Sequence, residues 1–344
     1  MSNNLTPVAE ACLQAFSTKL AKDYSVPDAA KQFSLTQPQE TKIHAAILEK
    51  VEFLSMITKM DVDDVIGQVI AVGSTGTATG RSSKGRFTSG TGFKGHKYEL
   101  VETDSCAHVD WTTLAAWGNS GSKGQFMKLL QNNTMKRFAL DILRIGFNGT
   151  HVAVDTDPVK FPLGEDVNKG WHQLVKDNAP DQIMTDDVYL NLGADPSKLK
   201  AGEYSTLEAL VTDLKNSLIH TALQEDPDLV VLVGRDLIGA TQTHLMGQAT
   251  TPTEKVAAMK LDKDIAGLRA YSPSFIPGKR LVITKLKNLH CYTQKGTRKR
   301  KSENVEDRKR HEDKLWRMEG YAVEEYEAYA AVDEGNMHIG AKPA

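Results

Sequence analysis

The sequence has little cysteine and no long apolar run, and each shortage argues against a class of protein. Its three cysteines, Cys12, Cys106 and Cys291, are far apart and form no CxxC pair, so neither a disulfide framework nor a cysteine-rich zinc site is expected. No apolar stretch approaches the ~18 residues that cross a membrane. The first residues lack the basic and apolar segments of a secretory signal. We therefore expect a reduced protein that is made in the cytoplasm.

The chain also lacks an excess of charge of either sign. Its 344 residues include 42 Lys and Arg against 44 Asp and Glu, which gives a formal net charge of −2. Hydrophobic residues make up 40%, an ordinary value for a globular protein. At a typical ~150 residues per domain, the length predicts about two domains. Net charge supports neither nucleic-acid binding nor membrane binding, and only a local cluster could do so.

Hydrophobic spacing in the first half predicts helices and one long excursion. Helical spacing occurs at 7–22, 41–57 and 126–147. The last of these is the longest candidate, and Gly146 and Gly149 are its candidate ends. Residues 73–95 are rich in Gly, Ser and Thr between two strand-like flanks, a composition that cannot bury itself. The segment and its flanks predict two paired strands that extend from the fold and are joined by a flexible tip.

The second half predicts an α/β body followed by strands. Residues 205–208 read Ser-Thr-Leu-Glu, the form of a capping box that opens a helix. The apolar run 229–233 predicts a buried strand, and a short helix is expected after it. Branched residues at 281–293 predict another strand. The segment 316–332 has a composition compatible with either helix or strand.

No motif for catalysis, metal binding or cofactor binding is complete. Gly80 and Gly85 have P-loop spacing, but Arg86 and Phe87 stand where that motif needs Lys and Ser or Thr. Cys106 and His108 lack the second pair of ligands that zinc requires. Neither a GxSxG elbow nor an HExxH helix occurs. We therefore predict no catalytic residue, no metal and no cofactor.

One local charge cluster stands out, at residues 295–317. It contains ten Lys or Arg against five Asp or Glu. One interpretation is a nucleic-acid-binding surface. Because acids alternate with the bases, a solvated hairpin or a surface that pairs with another subunit is an equal alternative. A third hypothesis is an enzyme in the α/β body, which would need a concave pocket with convergent polar groups between 152 and 280.

Several stretches, taken in order, resemble one known family. The sequence resembles the major capsid proteins of tailed bacteriophages, in the myophage branch typified by coliphage P-two. The resemblance runs from about residue 30 to 333. The stretches that carry it are 141–149 (DILRIGFNG), 166–171 (DVNKGW) with 178–180 (NAP), 204–211 (YSTLEALV), 224–231 (QEDPDLVV) and 281–289 (LVITKLKNL).

The resemblance implies an α+β chain with the Hong-Kong-97-like capsid fold. It implies that 316–332 is mostly strand. The implied parts are an N-terminal arm (1–60), an extended loop (66–105), a peripheral domain with a long spine helix (106–151 and 281–333), an axial domain (152–280) and a C-terminal tail (334–344).

The resemblance also implies a structural, non-enzymatic function. The chain is expected to form pentamers and hexamers of an icosahedral head that encloses double-stranded DNA. The implied partners are copies of itself, an internal scaffolding protein with protease activity, a portal protein, a decoration protein and packaged DNA bound without sequence specificity. Assembly is expected in the cytoplasm of the bacterial host, without a membrane.

Two groups of site residues follow from the resemblance. Trimming of residues 1–33 is expected, with Phe33 and Ser34 at the cut. Contacts between subunits are expected in the extended loop and in the charged hairpin. The candidate contact residues are Lys84, Arg86, Lys94, Arg298, Lys299, Arg300, Lys301, Glu303, Glu306, Asp307, Arg308, Lys309 and Arg310.

Overall fold

The structure is a computed structural model that describes residues 5–48, 51–69, 79–83, 96–119, 123–248 and 264–343. The chain divides into two compact units, which are described here by their residues. The first comprises Met1–Gly67, Glu99–Leu143 and Cys291–Gly320, and the second Gln68–Tyr98, Arg144–His290 and Tyr321–Ala344. These units do not follow the boundaries expected at 151 and 281. The assignment of arm, loop and domains stays a prediction.

Helices are present in both units. The α-helices of the described residues are α1 (Pro7–Asp23), α2 (Gln37–Leu48), α3 (Glu52–Met56), α4 (Trp111–Asn119), α5 (Lys123–Asn148), α6 (Trp171–Asn178), α7 (Leu207–Leu218) and α8 (Arg235–Gln248).

Strands alternate with these helices. The β-strands of the described residues are β1 (Phe33–Ser34), β2 (Thr58–Val62), β3 (Ile66–Val69), β4 (His96–Glu99), β5 (Val101–Asp110), β6 (Ile183–Met184), β7 (Val188–Leu190), β8 (Glu203–Tyr204), β9 (Leu229–Val233), β10 (Asp264–Ile265), β11 (Leu268–Tyr271), β12 (Leu281–Lys285), β13 (Leu289–Gln294), β14 (Lys299–Val305), β15 (Arg310–Val323), β16 (Ala330–Val332) and β17 (Met337–Ile339).

A six-stranded sheet carries the charged hairpin. Its order is β1-β14-β15-β13-β2, and β5 also pairs with β15. The hairpin strands β14 and β15 are antiparallel, with Lys299 opposite Trp316 and Val305 opposite Arg310. A separate apolar core of the first unit packs α1 against the start of α5, where Phe16, Leu114 and Phe126 are all buried. The amphipathic side of α1 is therefore covered within this unit.

The core of the second unit lies between α7 and another six-stranded sheet. The order of that sheet is β10-β11-β9-β12-β16-β6. All five residues of β9 are buried, because its neighbours β11 and β12 lie on either side and α7 packs near the sheet. Leu207, Leu210, Val211 and Leu214 of α7 form the buried face of that helix. Spacing of 3 and 4 residues brings such side chains to one face of a helix.

The remaining described strands form two small sheets. The strands β17, β7 and β8 form a parallel three-stranded sheet. The strands β3 and β4 form a two-stranded sheet, which confirms paired flanks for the glycine-rich excursion. Most of the tip, 73–95, lies outside the described residues.

The structure confirms the predicted long helix and the predicted charged hairpin. It differs from three local predictions. The helix expected at 41–57 is two helices, because α2 ends at Leu48 and α3 begins at Glu52. The residue that caps α7 is Thr206, whose Oγ1 accepts a hydrogen bond from the Ala209 amide at 3.2 Å. The helix after β9 has 14 residues and is not short.

The structure also tests the predictions for the segments 281–293 and 316–332. The segment 281–293 forms β12 and β13 with a 3₁₀ turn between them. The segment 316–332 is mostly strand, as the resemblance implied, since β15 continues to Val323 and β16 follows at Ala330. Pairing with β5, β13 and β14 decides for strand here, where local composition allowed either structure.

Candidate functional site

The charged segment 295–317 forms a hairpin whose charges are mostly neutralised within the first unit. Eight of its ten Lys and Arg side chains make ion pairs with described acids. Lys299 lies over the Trp316 ring at 4.9 Å. The pairs are Lys295–Asp63, Arg298–Glu40 and Asp61, Arg300–Asp313, Lys301–Glu303, Arg308–Glu312, Arg310–Glu312, Lys314–Glu303 and Glu312, and Arg317–Glu319.

Arg300 and Asp313 form a fully buried pair. Both side chains are 2% exposed. The guanidinium Nε and Nη2 donate to the two carboxylate oxygens at 3.0 and 2.6 Å, and Nη1 donates to the Tyr24 hydroxyl at 3.0 Å. Burial alone would lower the pKa of Arg300, but the adjacent Asp313 carboxylate raises that pKa above its ordinary value. This two-bond geometry is the one that best offsets the desolvation of a buried pair.

Arg298 joins the hairpin to two other elements of the same unit. Its side chain is 3% exposed and contacts Glu40 of α2 at 3.4 Å and Asp61 of β2 at 2.6 Å. The Glu40 side chain is 1% exposed. A buried carboxylate of this kind needs a cationic partner, and Arg298 supplies it from a residue 258 positions away.

Glu312 is the centre of a third cluster. Its side chain is 1% exposed and contacts Arg310 at 2.6 Å and Lys314 at 2.7 Å, with Arg308 at 3.4 Å. Burial would raise the pKa of Glu312, but hydrogen bonds from Lys314 and Arg310 lower it to about 2. Glu312 is therefore ionised at neutral pH and balances the basic side chains that surround it.

The predicted contact residues fall into different environments. Arg298 and Arg300 are buried, whereas Glu306, Asp307, Arg308 and Lys309 are exposed at the hairpin turn. The residues Lys299, Lys301, Glu303 and Arg310 are partly exposed. Lys84, Arg86 and Lys94 lie outside the described residues. A role between subunits stays a prediction for all of these residues.

The predicted cleavage position lies in a strand. Phe33 and Ser34 form β1, opposite Arg300 and Lys299 of β14. The pairing extends past them, because the Leu35 amide donates to the Arg298 carbonyl at 3.0 Å and the Ser302 amide donates to the Ala29 carbonyl at 2.9 Å. The peptide bond between Phe33 and Ser34 is therefore held in a sheet in this structure.

The second unit contains a polar cluster that sequence reasoning missed. One imidazole nitrogen of His172 and carboxylate oxygens of Asp333 and Glu334 lie within 4.8 Å of one another. His172 Nδ1 lies 3.0 Å from the Tyr329 hydroxyl. Burial, together with the nearby Arg280, lowers the pKa of His172 to about 4. His172 lies more than 150 positions before Tyr329, Asp333 and Glu334, and no spacing in the sequence indicates the cluster.

Cationic partners already balance the two carboxylates of this cluster. Arg280 donates to both oxygens of Glu334, at 2.7 and 2.8 Å, and Lys176 donates to Asp333. A His, Asp and Glu donor set suits a divalent transition metal. With neutral His172, however, the two carboxylates and two cations sum to zero, and a divalent ion would leave an excess of positive charge. The cluster therefore fits an ion-pair network that connects α6 with the segment after β16.

The cavity beside this cluster bears on the enzyme hypothesis. It is lined by polar side chains that include His172, Lys176, Arg280 and Glu334. Lys176 and Arg280 are already ion-paired, with Asp333 and Glu334, and a pKa lowered to about 4 makes His172 a weak base at neutral pH. Among the described helices, none is long and apolar enough to cross a membrane.

Relatives of this chain are known from both sequence and structure. The capsid protein of Escherichia phage P2 is 29% identical over 328 residues, which cover 92% of this chain and 91% of that protein. The major capsid protein of Serratia phage KSP20 is 26% identical over 313 residues, which cover 88% and 89%.

Solved structures show the same fold. A chain in the procapsid of satellite phage P4, which includes the size determination protein Sid, has 28% identity and a TM-score of 0.74, with coverage of 95% of this chain and 99% of that one. A chain from Gordonia phage Cozz has 10% identity, a TM-score of 0.50 and coverage of 84% and 86%, which shows the fold alone. The α+β architecture is the Hong-Kong-97-like capsid fold.

The family comparison settles which group of proteins this is. The model of the phage major capsid protein family of the P2 type matches residues 12–335, almost the whole chain. That range covers most of both compact units and the whole ion-paired hairpin. The chain therefore belongs to the P2 family of phage major capsid proteins.

Proposed function

We propose that this chain is the shell subunit of a phage head and that it assembles with copies of itself into the pentamers and hexamers of an icosahedral capsid. The observation that carries the proposal is the match to a procapsid chain over 95% of this sequence at a TM-score of 0.74. The family is structural, and we propose no catalytic activity. One fold that occupies both five-fold and six-fold positions needs contacts that tolerate small rotations between copies.

The finer partners form a separate part of the proposal. They are an internal scaffolding protein with protease activity, a portal protein, a decoration protein and packaged double-stranded DNA, with assembly in the host cytoplasm. Family membership supports them. The neutralised hairpin and the net charge of −2 fit a shell that encloses DNA without binding it tightly.

We also propose trimming between Phe33 and Ser34. Because β1 is paired with β14, a protease can reach this bond only when β1 leaves the sheet or before β1 joins it. Trimming would also remove α1, whose buried residues include Cys12, Leu13 and Phe16. The measurement is the intact mass of the subunit from mature particles. Loss of residues 1–33 supports the cut, and a full-length mass contradicts it.

The experiment that tests the main proposal measures particle formation. The chain is expressed alone and with its cognate internal scaffold, and both samples are examined by light scattering and negative-stain microscopy. We expect rings or shells of megadalton mass. A monomer of 37.8 kDa under both conditions would contradict the proposal.

The alternative function, nucleic-acid binding by the hairpin 295–317, is tested by charge reversal. The burial of each residue determines which substitutions are informative. Charge reversal at Arg298 or Arg300 would break buried ion pairs, so a loss of DNA binding there would report misfolding. Arg308 is 64% exposed and Lys309 lies beside it at the turn. If the hairpin binds DNA, the double variant Arg308→Glu, Lys309→Glu would weaken salt-dependent binding. We expect no effect, because most of the hairpin charge is already paired.

A further inference from the structure

A loop of the second unit exposes aliphatic side chains to an unusual degree. The 151–163 loop follows α5, and Val154 and Val159 in it are 102% and 91% exposed. Val152 and Leu163 add exposures of 46% and 39%. Single exposed apolar residues are normal on protein surfaces, but four of them within one 13-residue loop indicate a contact surface.

Hydrogen bonds hold this loop in one conformation. The Thr150 amide donates to the Glu165 carbonyl at 2.7 Å, and the Ala153 amide donates to the Asp166 carbonyl at 2.9 Å. The Asp157 amide donates to a carboxylate oxygen of Asp166 at 2.6 Å, and Asp166 is 2% exposed. The valines are thus presented by an ordered loop, which reduces the entropy that ordering on contact would cost.

The charges of the loop limit what can bind it. Asp155 and Asp157 are exposed next to the valines, whereas Lys160 lies over the Phe161 ring at 4.9 Å. An acidic and aliphatic surface repels the phosphates of DNA. It fits a protein surface that is basic and partly apolar.

The first unit presents a surface of that kind on α5. Residues 124–137 contain no Asp or Glu. Lys128 and Lys136 are exposed, and Leu129 between them is 41% exposed. At 100° per residue these three side chains share one sector of the helix surface.

We propose that the 151–163 loop of one copy docks on the Lys128, Leu129 and Lys136 face of α5 in a neighbouring copy. The contact is heterologous, since two different surfaces of the same chain meet, and contacts of this type form rings when the rotation between copies closes. It deepens the proposed function and rests on it, because only a self-assembling shell places a second copy beside every loop.

A photo-crosslinking experiment identifies the occupant directly. The photoreactive residue p-benzoylphenylalanine replaces Val154, and particles formed with the cognate scaffold are irradiated and digested for mass spectrometry. We expect a crosslink between two copies that joins position 154 to a peptide within 124–137. A crosslink to the scaffold, or to another region of the chain, would overturn the inference.

Charge variants test the same contact through assembly. Asp155→Lys and Lys136→Asp should each lower the yield of particles about tenfold, which corresponds to ~1.4 kcal/mol per contact, and the double variant should restore it. Lys198→Asp is the matched control, since Lys198 is 82% exposed and lies outside both surfaces. Circular dichroism confirms that each variant folds.

The outcomes separate this inference from the proposed function. If the unmodified chain forms no particles with its scaffold, the proposed function fails and this inference falls with it. If the unmodified chain forms particles and the two single variants match it in yield, only the inference is overturned.

Discussion

Gly146 lies directly against the indole ring of Trp171, so closely that a Cβ atom on Gly146 would come within 2.5 Å of the ring. Trp171 is 1% exposed, and its Nε1 donates to the His290 carbonyl at 2.9 Å. Of the two glycines predicted as ends of the long helix, Gly149 directly follows its last residue, Asn148, whereas Gly146 lies inside the helix. The glycine at this position makes room for the tryptophan.

The first prediction concerns that contact. Gly146→Ala should lower the free energy of unfolding by about 1–3 kcal/mol, because the added methyl group overpacks the site against a fixed ring. The measurement is urea unfolding followed by circular dichroism. Gly239→Ala in α8 is the control, since nothing lies within 4 Å of a Cβ there, and replacing a helical glycine by alanine should stabilise by up to ~1 kcal/mol. Equal effects of the two substitutions would show that Trp171 does not restrict position 146.

The second prediction concerns the buried pair of Arg300 and Asp313. Asp313→Asn should destabilise the chain by about 3–5 kcal/mol, because it leaves the Arg300 charge buried without its carboxylate. The double variant Arg300→Met, Asp313→Leu should recover much of that loss, since it buries no charge. Unfolding in urea measures both.

The exposed pair of Lys198 and Asp195 provides the comparison for this pair. Its side chains are 82% and 53% exposed, so Lys198→Met should change the free energy of unfolding far less than Asp313→Asn does. A loss at Asp313→Asn that is no larger than the loss at Lys198→Met would contradict the prediction.

The third prediction concerns the pH dependence of stability through His172. In the unfolded chain His172 binds a proton near pH 6.5, whereas burial and Arg280 hold its folded pKa at about 4. Between these values the unfolded chain binds more protons, so the free energy of unfolding falls as the pH is lowered from 6.5 to 4, by at most about 3 kcal/mol from this residue. Above pH 7 this contribution is constant.

His172→Gln removes that titration and keeps a partner for the Tyr329 hydroxyl. Its free energy of unfolding should therefore vary less than that of the parent between pH 6.5 and 4. His338→Gln is the control, because the His338 side chain is 40% exposed. Parallel profiles for the parent and His172→Gln would show that His172 titrates normally in the fold.

The fourth prediction concerns the start of α7. Thr206→Ala should cost about 1 kcal/mol, because it removes the side-chain oxygen that accepts from the Ala209 amide. Ser205→Ala tests the alternative cap one residue earlier and should cost less. If Ser205→Ala proves the more damaging substitution, the assignment of Thr206 as the cap is incorrect.

Local signals in the sequence were sufficient for many elements. The apolar spacing of 126–147 predicted α5, and the run 229–233 predicted the buried strand β9. Such signals work because helix and strand periodicities are local properties of consecutive residues. The ordered motifs from 141 to 289 likewise indicated the family before any tertiary contact was known.

Tertiary structure decided what the charged and glycine residues do. The excess of basic residues at 295–317 suggested a binding surface, but their acids come from α2, β2 and neighbouring strands, and only folding brings Glu40 to Arg298. In the same way, composition could not choose between helix and strand at 316–332, and sheet pairing chose strand. The sequence alone determined many of the elements and the family, because those depend on local patterns. The burial of each charge and the close approach at Gly146 depend on residues far apart in the chain, so only the folded structure could determine them.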